Sequence, residues 1–316
     1  MNSLNLHRGD ALDAYASWPT PTLIMSDGAY GVGGFPGDPR TPDTLGDWYR
    51  PHIEAWTRAS TVKTSLWFWN TEIGWANTHP VLVENGWRYV QMCVWDKGAG
   101  HIAGRVNSST QRTFPVTTEV AVLYERAPIL NGGATAMRDW MRAEWKRTGL
   151  PWRETNTACG VKDAATRKYF AADDRWYLPP EDRFRALIEY ANTHGDPAGA
   201  PYFQMPPEVG DVSSQPWERR VWNYIDGVRN VWSRPTLRGD ERFKAGGKSA
   251  HLNQKPLDLM EPLILASSNP GDVVWEPFGG LGSGSISAVK HERHAYVAES
   301  NPVFADALAD RSALTA

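Results

Sequence analysis

Cysteine is scarce. Cys93 and Cys159 are the only two in 316 residues, and neither belongs to a Cys-x-x-Cys pair. That excludes a disulfide framework and a zinc-ligand pattern, and no metal is expected. No apolar run approaches the roughly 18 residues that cross a bilayer, and Met1-Asn-Ser-Leu-Asn-Leu-His-Arg8 has no signal-peptide character. A reduced, cytoplasmic protein without a membrane partner is expected. Positive charge is not in excess either. The net charge is −3, so any nucleic-acid surface has to be local. Internal repeats and low-complexity tracts are missing as well.

Core material is plentiful, with 41% hydrophobic residues and 16 tryptophans, enough for one large domain or two. Leu4–Asp10 reads as a short strand ending in Gly9-Asp10, and residues 11–18 as a short helix. Thr22-Leu-Ile-Met-Ser26 reads as a buried strand running into Asp27-Gly-Ala-Tyr30. A Gly/Pro loop follows, in which Gly31-Val-Gly-Gly34 suggests flexibility. Residues 45–60 carry Trp48, Ile53 and Trp56 at helical spacing, and 64–69 is an apolar strand. A helix to Glu84 and strands at 87–94 and 117–124 come next. Trp95-Asp96-Lys97 either lines a pocket or ends a strand. This alternation of strands and helices argues for an α/β sheet.

After Asn131-Gly-Gly133 the rhythm stops, and an Arg-, Trp- and Pro-rich stretch runs to about Lys248. Its last part, 219–250, carries eight Lys and Arg against three acids, with Trp222, Tyr224 and Trp232 interleaved and Trp217 just before. The α/β pattern then resumes. An amphipathic helix starts at Leu257, and Asp272-Val-Val-Trp-Glu-Pro-Phe-Gly-Gly-Leu-Gly-Ser-Gly284 reads as strand, tight turn and helix start. A strand at 294–299 ends on Glu299, and a helix begins at Pro302. Glycines in such a turn allow positive φ and let a ligand lie against the main chain. A dinucleotide site, a phosphate loop or a structural turn would each explain the turn taken alone.

Three segments stand in order: Asp27-Gly-Ala-Tyr30, Asn253-Gln-Lys-Pro256 and Glu276-Pro-Phe-Gly-Gly-Leu-Gly-Ser283. Together they resemble the DNA amino-methyltransferases that use S-adenosylmethionine (SAM) to modify adenine N6 or cytosine N4, in the motif order of that family's β group. The resemblance covers roughly 1–130 and 250–316. It implies a Rossmann-like α/β fold, a mixed, mostly parallel sheet with helices on both faces. It also implies an inserted, mainly helical or irregular recognition domain. On this reading 1–130 is the catalytic half, 131–249 the DNA-binding insert and 250–316 the SAM-binding half.

The resemblance implies a reaction centre at Ser26, Asp27, Gly28, Ala29 and Tyr30. There Asp27 and a carbonyl near Gly28 would accept hydrogen bonds from the target amine, and Tyr30 would stack on a base flipped out of duplex DNA. For SAM it implies Asp10 at the adenine amino group, Lys255-Pro256 at the carboxylate, Glu299 at the ribose, and a cradle of Glu276, Phe278, Gly280, Gly282 and Ser283. Arg105, Arg219, Arg220, Arg234 and Arg238 are the candidate DNA contacts. A cognate restriction endonuclease and a homodimer are left open. Methylation at cytosine C5 needs a Pro-Cys nucleophile, whereas Cys93 follows Met92 and Cys159 follows Ala158.

Two departures stand out. Gly28-Ala29 replaces the family's usual Pro-Pro, and Glu276 replaces an Asp. Asp27 favours adenine and Ser26 favours cytosine. The sequence inclines slightly to cytosine N4, with adenine N6 as the alternative and a non-catalytic SAM- and DNA-binding protein as the alternative of another class. A nicotinamide oxidoreductase would leave Asp27–Tyr30 and Lys255-Pro256 without a purpose.

Overall fold

The computed structural model describes residues 3–34, 37–101, 109–126, 133–204, 220–245, 247–251 and 253–314. In chain order these form β1 (Leu4–Arg8), β2 (Leu23–Ser26), α1 (Leu45–Ala59), β3 (Ser65–Asn70), α2 (Glu72–Glu84), β4 (Trp87–Asp96), β5 (Thr118–Arg126), α3 (Gly133–Arg147), α4 (Glu154–Ala158), α5 (Glu181–His194), β6 (Val231–Ser233), β7 (Lys244–Ala245), β8 (Lys248–Ser249), α6 (Leu257–Ser267), β9 (Val273–Glu276), α7 (Ser283–Lys290), β10 (His294–Glu299) and α8 (Pro302–Ala313). The helix expected at 11–18 is two short 3-10 turns, the first capped by Asp10.

Two compact units emerge: residues 1–127 with 219–316, and residues 128–218. The segment 220–249, which the sequence reading gives to the insert, therefore packs with the first unit. β6 shows why, because it pairs in parallel with β4 at the sheet edge.

In the first unit eight strands lie in the order β1-β10-β9-β2-β3-β5-β4-β6. The run from β1 to β3 is parallel, and β5 is antiparallel to both β3 and β4. β2 and β3 are buried at every position, as strands covered on both faces must be. One face carries Tyr49, Ile53 and Trp56 of α1 against Ile24, Leu66, Phe68 and Trp275. The other carries Leu259, Met260, Leu263 and Ile264 of α6 against Leu23, Met25, Trp67 and Val274.

From β9 the chain passes through α7 to β10 on one side, and from β2 through α1 to β3 on the other. The order therefore reverses between β9 and β2. In open α/β sheets such a switch point opens a crevice beyond the carboxyl ends of the strands, where ligands bind.

The second unit is helical. Met141 and Trp145 of α3, Ala158 of α4, Phe170, and Phe184 and Leu187 of α5 form its core. Its arginines are largely matched by nearby acids, as in Arg147–Glu144, Arg167–Asp163 and Arg185–Glu181. Among the described residues no helix is long and apolar enough to cross a membrane.

Candidate active site

Asp27 follows β2 directly, and the glycine turn follows its neighbour β9, so both open into the crevice at the switch point. Asp27 is the hub of a buried cluster. Its Oδ1 accepts a hydrogen bond from the Tyr30 hydroxyl at 2.8 Å and an ion pair from Lys255 Nζ at 3.0 Å. Lys255 also donates to the Tyr30 hydroxyl at 2.9 Å and lies 3.3 Å from Glu119 Oε2.

Glu119 reaches the cluster because β5 runs antiparallel to β3, which brings the start of β5 to the carboxyl end of β3. Its Oε2 accepts from the Trp69 indole at 2.7 Å and its Oε1 from Lys97 at 2.6 Å. Two carboxylates and two ammoniums thus meet from distant parts of the chain. Such a group is tolerable away from water only when every charge is paired and hydrogen-bonded.

The charge states follow from that pairing. Burial alone would raise the Glu119 pKa, but Lys255, Lys97 and the Trp69 hydrogen bond outweigh it and hold the carboxyl at about 2. Burial opposes charge on Lys255, but Asp27 and Glu119 keep its ammonium above the ordinary lysine range. Tyr30 is pushed well above the ordinary phenol value, first by burial and then by Asp27 and Glu119, so it is a neutral donor.

Lys255, which the sequence expectation sets at a cofactor carboxylate, meets Asp27, Tyr30 and Glu119 within the chain. Sequence reasoning misses Glu119, Trp69, Tyr49 and Asn70 altogether. It marks only Trp95-Asp96-Lys97 as a pocket wall, and Lys97 is part of the cluster.

Ser26, the last residue of β2, directly precedes Asp27. It is 1% exposed, and its hydroxyl has no hydrogen-bond partner among the described residues. Asp38 wraps the loop after Tyr30, accepting from the N–H groups of Gly31 (2.9 Å), Val32 (3.3 Å) and Gly34 (2.8 Å). That loop is therefore a nest around a carboxylate, not the flexible linker its glycines suggest.

The glycine turn is built from backbone. Gly280 and Gly282 have φ of 52° and 66°, in the left-handed region that glycine alone enters at little cost. Gly280 N–H donates to Glu299 Oε2 at 2.7 Å, which ties the turn to the end of β10. A Cβ on Gly280 would meet nothing within 4 Å, so bare main chain faces open space there. Ser283 Oγ donates to the Lys255 carbonyl at 2.8 Å, joining the turn to the cluster's lysine.

Glu276, expected at the cofactor, is engaged with the start of α7, accepting from Gly284 N–H at 2.9 Å and Ser285 N–H at 2.7 Å. Burial pushes it up to about 7 despite those donors. Phe278 sits among Trp48, Tyr49, His52 and Trp56. Asp10 is exposed next to Gly9, whose N–H bonds the Glu299 carbonyl at 3.0 Å.

Of the proposed DNA contacts, Arg105 and Arg219 lie outside the described residues. Arg220 pairs with Glu125 at 2.9 Å, and Arg234 pairs with Asp258 at 2.9 Å and Glu241 at 3.0 Å, so both are engaged within the chain. Arg238 is exposed. Among the described residues no three metal-ligating side chains come together.

The Type II methyltransferase M.HinfI of Haemophilus influenzae is 50% identical over 56 residues, 17% of this chain and 16% of that protein. The DNA adenine methyltransferase YhdJ of Escherichia coli K12 is 35% identical over 95 residues, 30% of this chain and 27% of that protein. The chain thus spans only 16% and 27% of the length of these curated relatives. Two solved structures share the fold. The M1.HpyAVI–SAM complex has a TM-score of 0.51 at 14% identity, with 98% of each chain covered. The cytosine-N4-specific PvuII DNA methyltransferase has a TM-score of 0.52 at 13% identity, covering 98% of this chain and 87% of that one. The model of the N6/N4 methyltransferase family, described as DNA methylase, matches residues 22–310, and the chain belongs to that family.

Proposed function

We propose that the chain transfers the methyl group of SAM to an exocyclic amino group of a base in duplex DNA, and that the base is adenine, at N6. The observation that carries the reading is the position of Asp27. It lies at the switch point beside the glycine turn, with one carboxylate oxygen fixed by Tyr30 and Lys255 and Oδ2 unengaged among the described residues.

SAM, when bound, supplies an electrophilic methyl group on a sulfonium sulfur. The residues present suit such a ligand, because the main chain at Gly280 is bare and faces open space, and its N–H holds the Glu299 carboxylate beside it. Glu299 would hold the ribose, Asp10 the adenine amino group and Gly280–Ser283 the chain between them.

An exocyclic amine is a weak nucleophile because its lone pair is delocalised into the ring. Asp27 Oδ2 and the Gly28 carbonyl would accept its two hydrogens and so draw the nitrogen toward tetrahedral geometry, a gain in orientation and in preorganised charge. Lys255 and Tyr30 hold Asp27 Oδ1 and so keep the carboxylate aimed. Tyr30 would carry the flipped base on its ring.

Adenine is favoured over cytosine because Asp27, not Ser26, is the side chain held in the cluster, and Ser26 is the ground for the cytosine reading. The name of YhdJ, a DNA adenine methyltransferase, agrees. Residues 128–218 are proposed as the unit that recognises the target sequence, with Arg238 of the first unit as a phosphate contact.

The test is transfer of labelled methyl from SAM to duplex DNA, with modified-base sequencing of DNA from expressing cells. N6-methyladenine at one sequence is expected. Asp27→Ala should abolish transfer while SAM still binds. Transfer that survives in Asp27→Ala removes Asp27 from the reaction, and N4-methylcytosine overturns the choice of base.

A further inference from the structure

We infer that Tyr49 and Asn70 are positioning residues that fix the Asp27–Tyr30 turn where Gly28 and Ala29 stand in place of two prolines. The inference deepens the methyl-transfer reading and rests on it. Gly28 and Ala29 bring little stiffness of their own, since neither ring-locks φ as proline does. The stiffness comes from outside the turn. The Ala29 carbonyl accepts the Tyr49 hydroxyl at 3.0 Å, from α1, and Asn70 Nδ2 at 2.8 Å, from the end of β3. Both donors are fully buried, and together they use both lone pairs of that carbonyl.

The donors are fixed in turn. The Tyr49 ring packs edge-on against Phe68 (centroids 4.9 Å apart) and Phe278 (5.9 Å). Asn70 Oδ1 accepts Thr71 N–H at 2.9 Å, and a Cβ on Gly74 would fall 1.9 Å from that oxygen, so Gly74 makes the room for it.

The same residues exclude proline from position 28. A Cβ there would lie 2.6 Å from Phe278 Cδ2 and 2.8 Å from the Tyr49 hydroxyl. The space that a proline ring would take is therefore filled by the side chains that replace its rigidity. Two consequences follow. With the Ala29 carbonyl saturated, the Gly28 carbonyl is the main-chain acceptor left to the target amine. And because Phe278 belongs to the glycine-turn segment, the acceptor turn is seated directly on the segment proposed to hold the methyl donor.

The experiment compares Tyr49→Phe and Asn70→Asp, each close to isosteric and each removing one donor to Ala29. Steady-state transfer to duplex DNA, SAM affinity by calorimetry and melting temperature are measured for both and for the double variant. Misplacement of the turn should lower kcat about tenfold in each single variant and about a hundredfold in the double. KM for SAM and SAM affinity should stay close to wild type in both, and so should the melting temperature of Tyr49→Phe, whereas Asn70→Asp, which buries a carboxyl against a carbonyl oxygen, should melt lower. Single variants that keep wild-type kcat overturn the inference. So does a loss in which kcat, SAM affinity and melting temperature fall together, since that describes general loosening. A wild-type protein that transfers no methyl group to any DNA refutes the methyl-transfer reading, and this inference with it. Active wild type with unaffected variants refutes the inference alone.

Discussion

The two halves of the site are made of different material. The glycine turn and its supports, Glu276 to Glu299, come from one short stretch of chain and work through backbone N–H groups: Gly284 and Ser285 on Glu276, Gly280 on Glu299. The acceptor half is made of side-chain charge gathered from far apart, with Asp27 after β2, Lys97 after β4, Glu119 on β5 and Lys255 before α6. Local backbone architecture leaves a signature in composition, because positive φ selects glycine. A charge cluster assembled across a sheet leaves none, because each member is an ordinary polar residue until the strands pair.

Removing the cation at the centre of the charged half should produce the largest effect. Lys255→Met leaves Asp27 and Glu119 buried with only Lys97 as a charged partner, and breaking a buried pair in this way costs about 3–5 kcal/mol. Chemical denaturation should show that loss, and transfer should disappear with it. A variant as stable as wild type would mean that the cluster is solvated and that the contrast between the halves is wrong.

The same contrast explains what can be read from the sequence. Strands β1 to β5, β9 and β10, the helices α1, α2 and α6 and the three ordered motifs are legible, because each is written in a contiguous pattern. Asp27 and Tyr30 are legible through their motif. Glu119 is not. It stands at the head of an apolar strand, and nothing in Thr117-Thr-Glu-Val-Ala says that antiparallel pairing with β3 will carry it to Asp27. Lys255 is found through its motif, but its contact with Tyr30, which spans 225 positions, is not legible. The segment 220–249 looks like part of the insert because it is Arg- and Trp-rich. Its three-residue strand β6 joins the first unit through backbone pairing that composition does not announce.

The backbone-built half should respond to shape instead of charge. Gly282→Ala forces a side chain into φ near 66° and puts Cβ 2.9 Å from Leu308 Cγ. The left-handed conformation alone costs about 1–2 kcal/mol. A loss of that size is expected on denaturation, with weaker SAM binding. It should not depend on salt or pH, whereas the loss in Lys255→Met should. Wild-type stability in the Gly282→Ala variant would show that the turn relaxes freely and is no rigid cradle.

The finest test sets one buried glutamate of each half against the other. Glu119, among cations, is held near pH 2, whereas Glu276, among neutral N–H and O–H donors, is raised to about 7. Both would titrate near 4.5 in an unfolded chain. The lowered group binds fewer protons folded than unfolded, so its contribution is present above pH 4.5 and is lost as pH falls from 4.5 toward 2. The raised group binds more protons when folded, so its contribution is present below 4.5 and is lost as pH rises toward 7. Each slope is bounded by about 1.4 kcal/mol per pH unit for one proton. Denaturation profiles of Glu119→Gln and Glu276→Gln should therefore flatten on opposite limbs, the acid limb for the first and the limb from 4.5 to 7 for the second. Flattening on the same limb would mean that the two carboxyls share one electrostatic environment, and that the division between a charge-built and a backbone-built half does not extend to their ionisation.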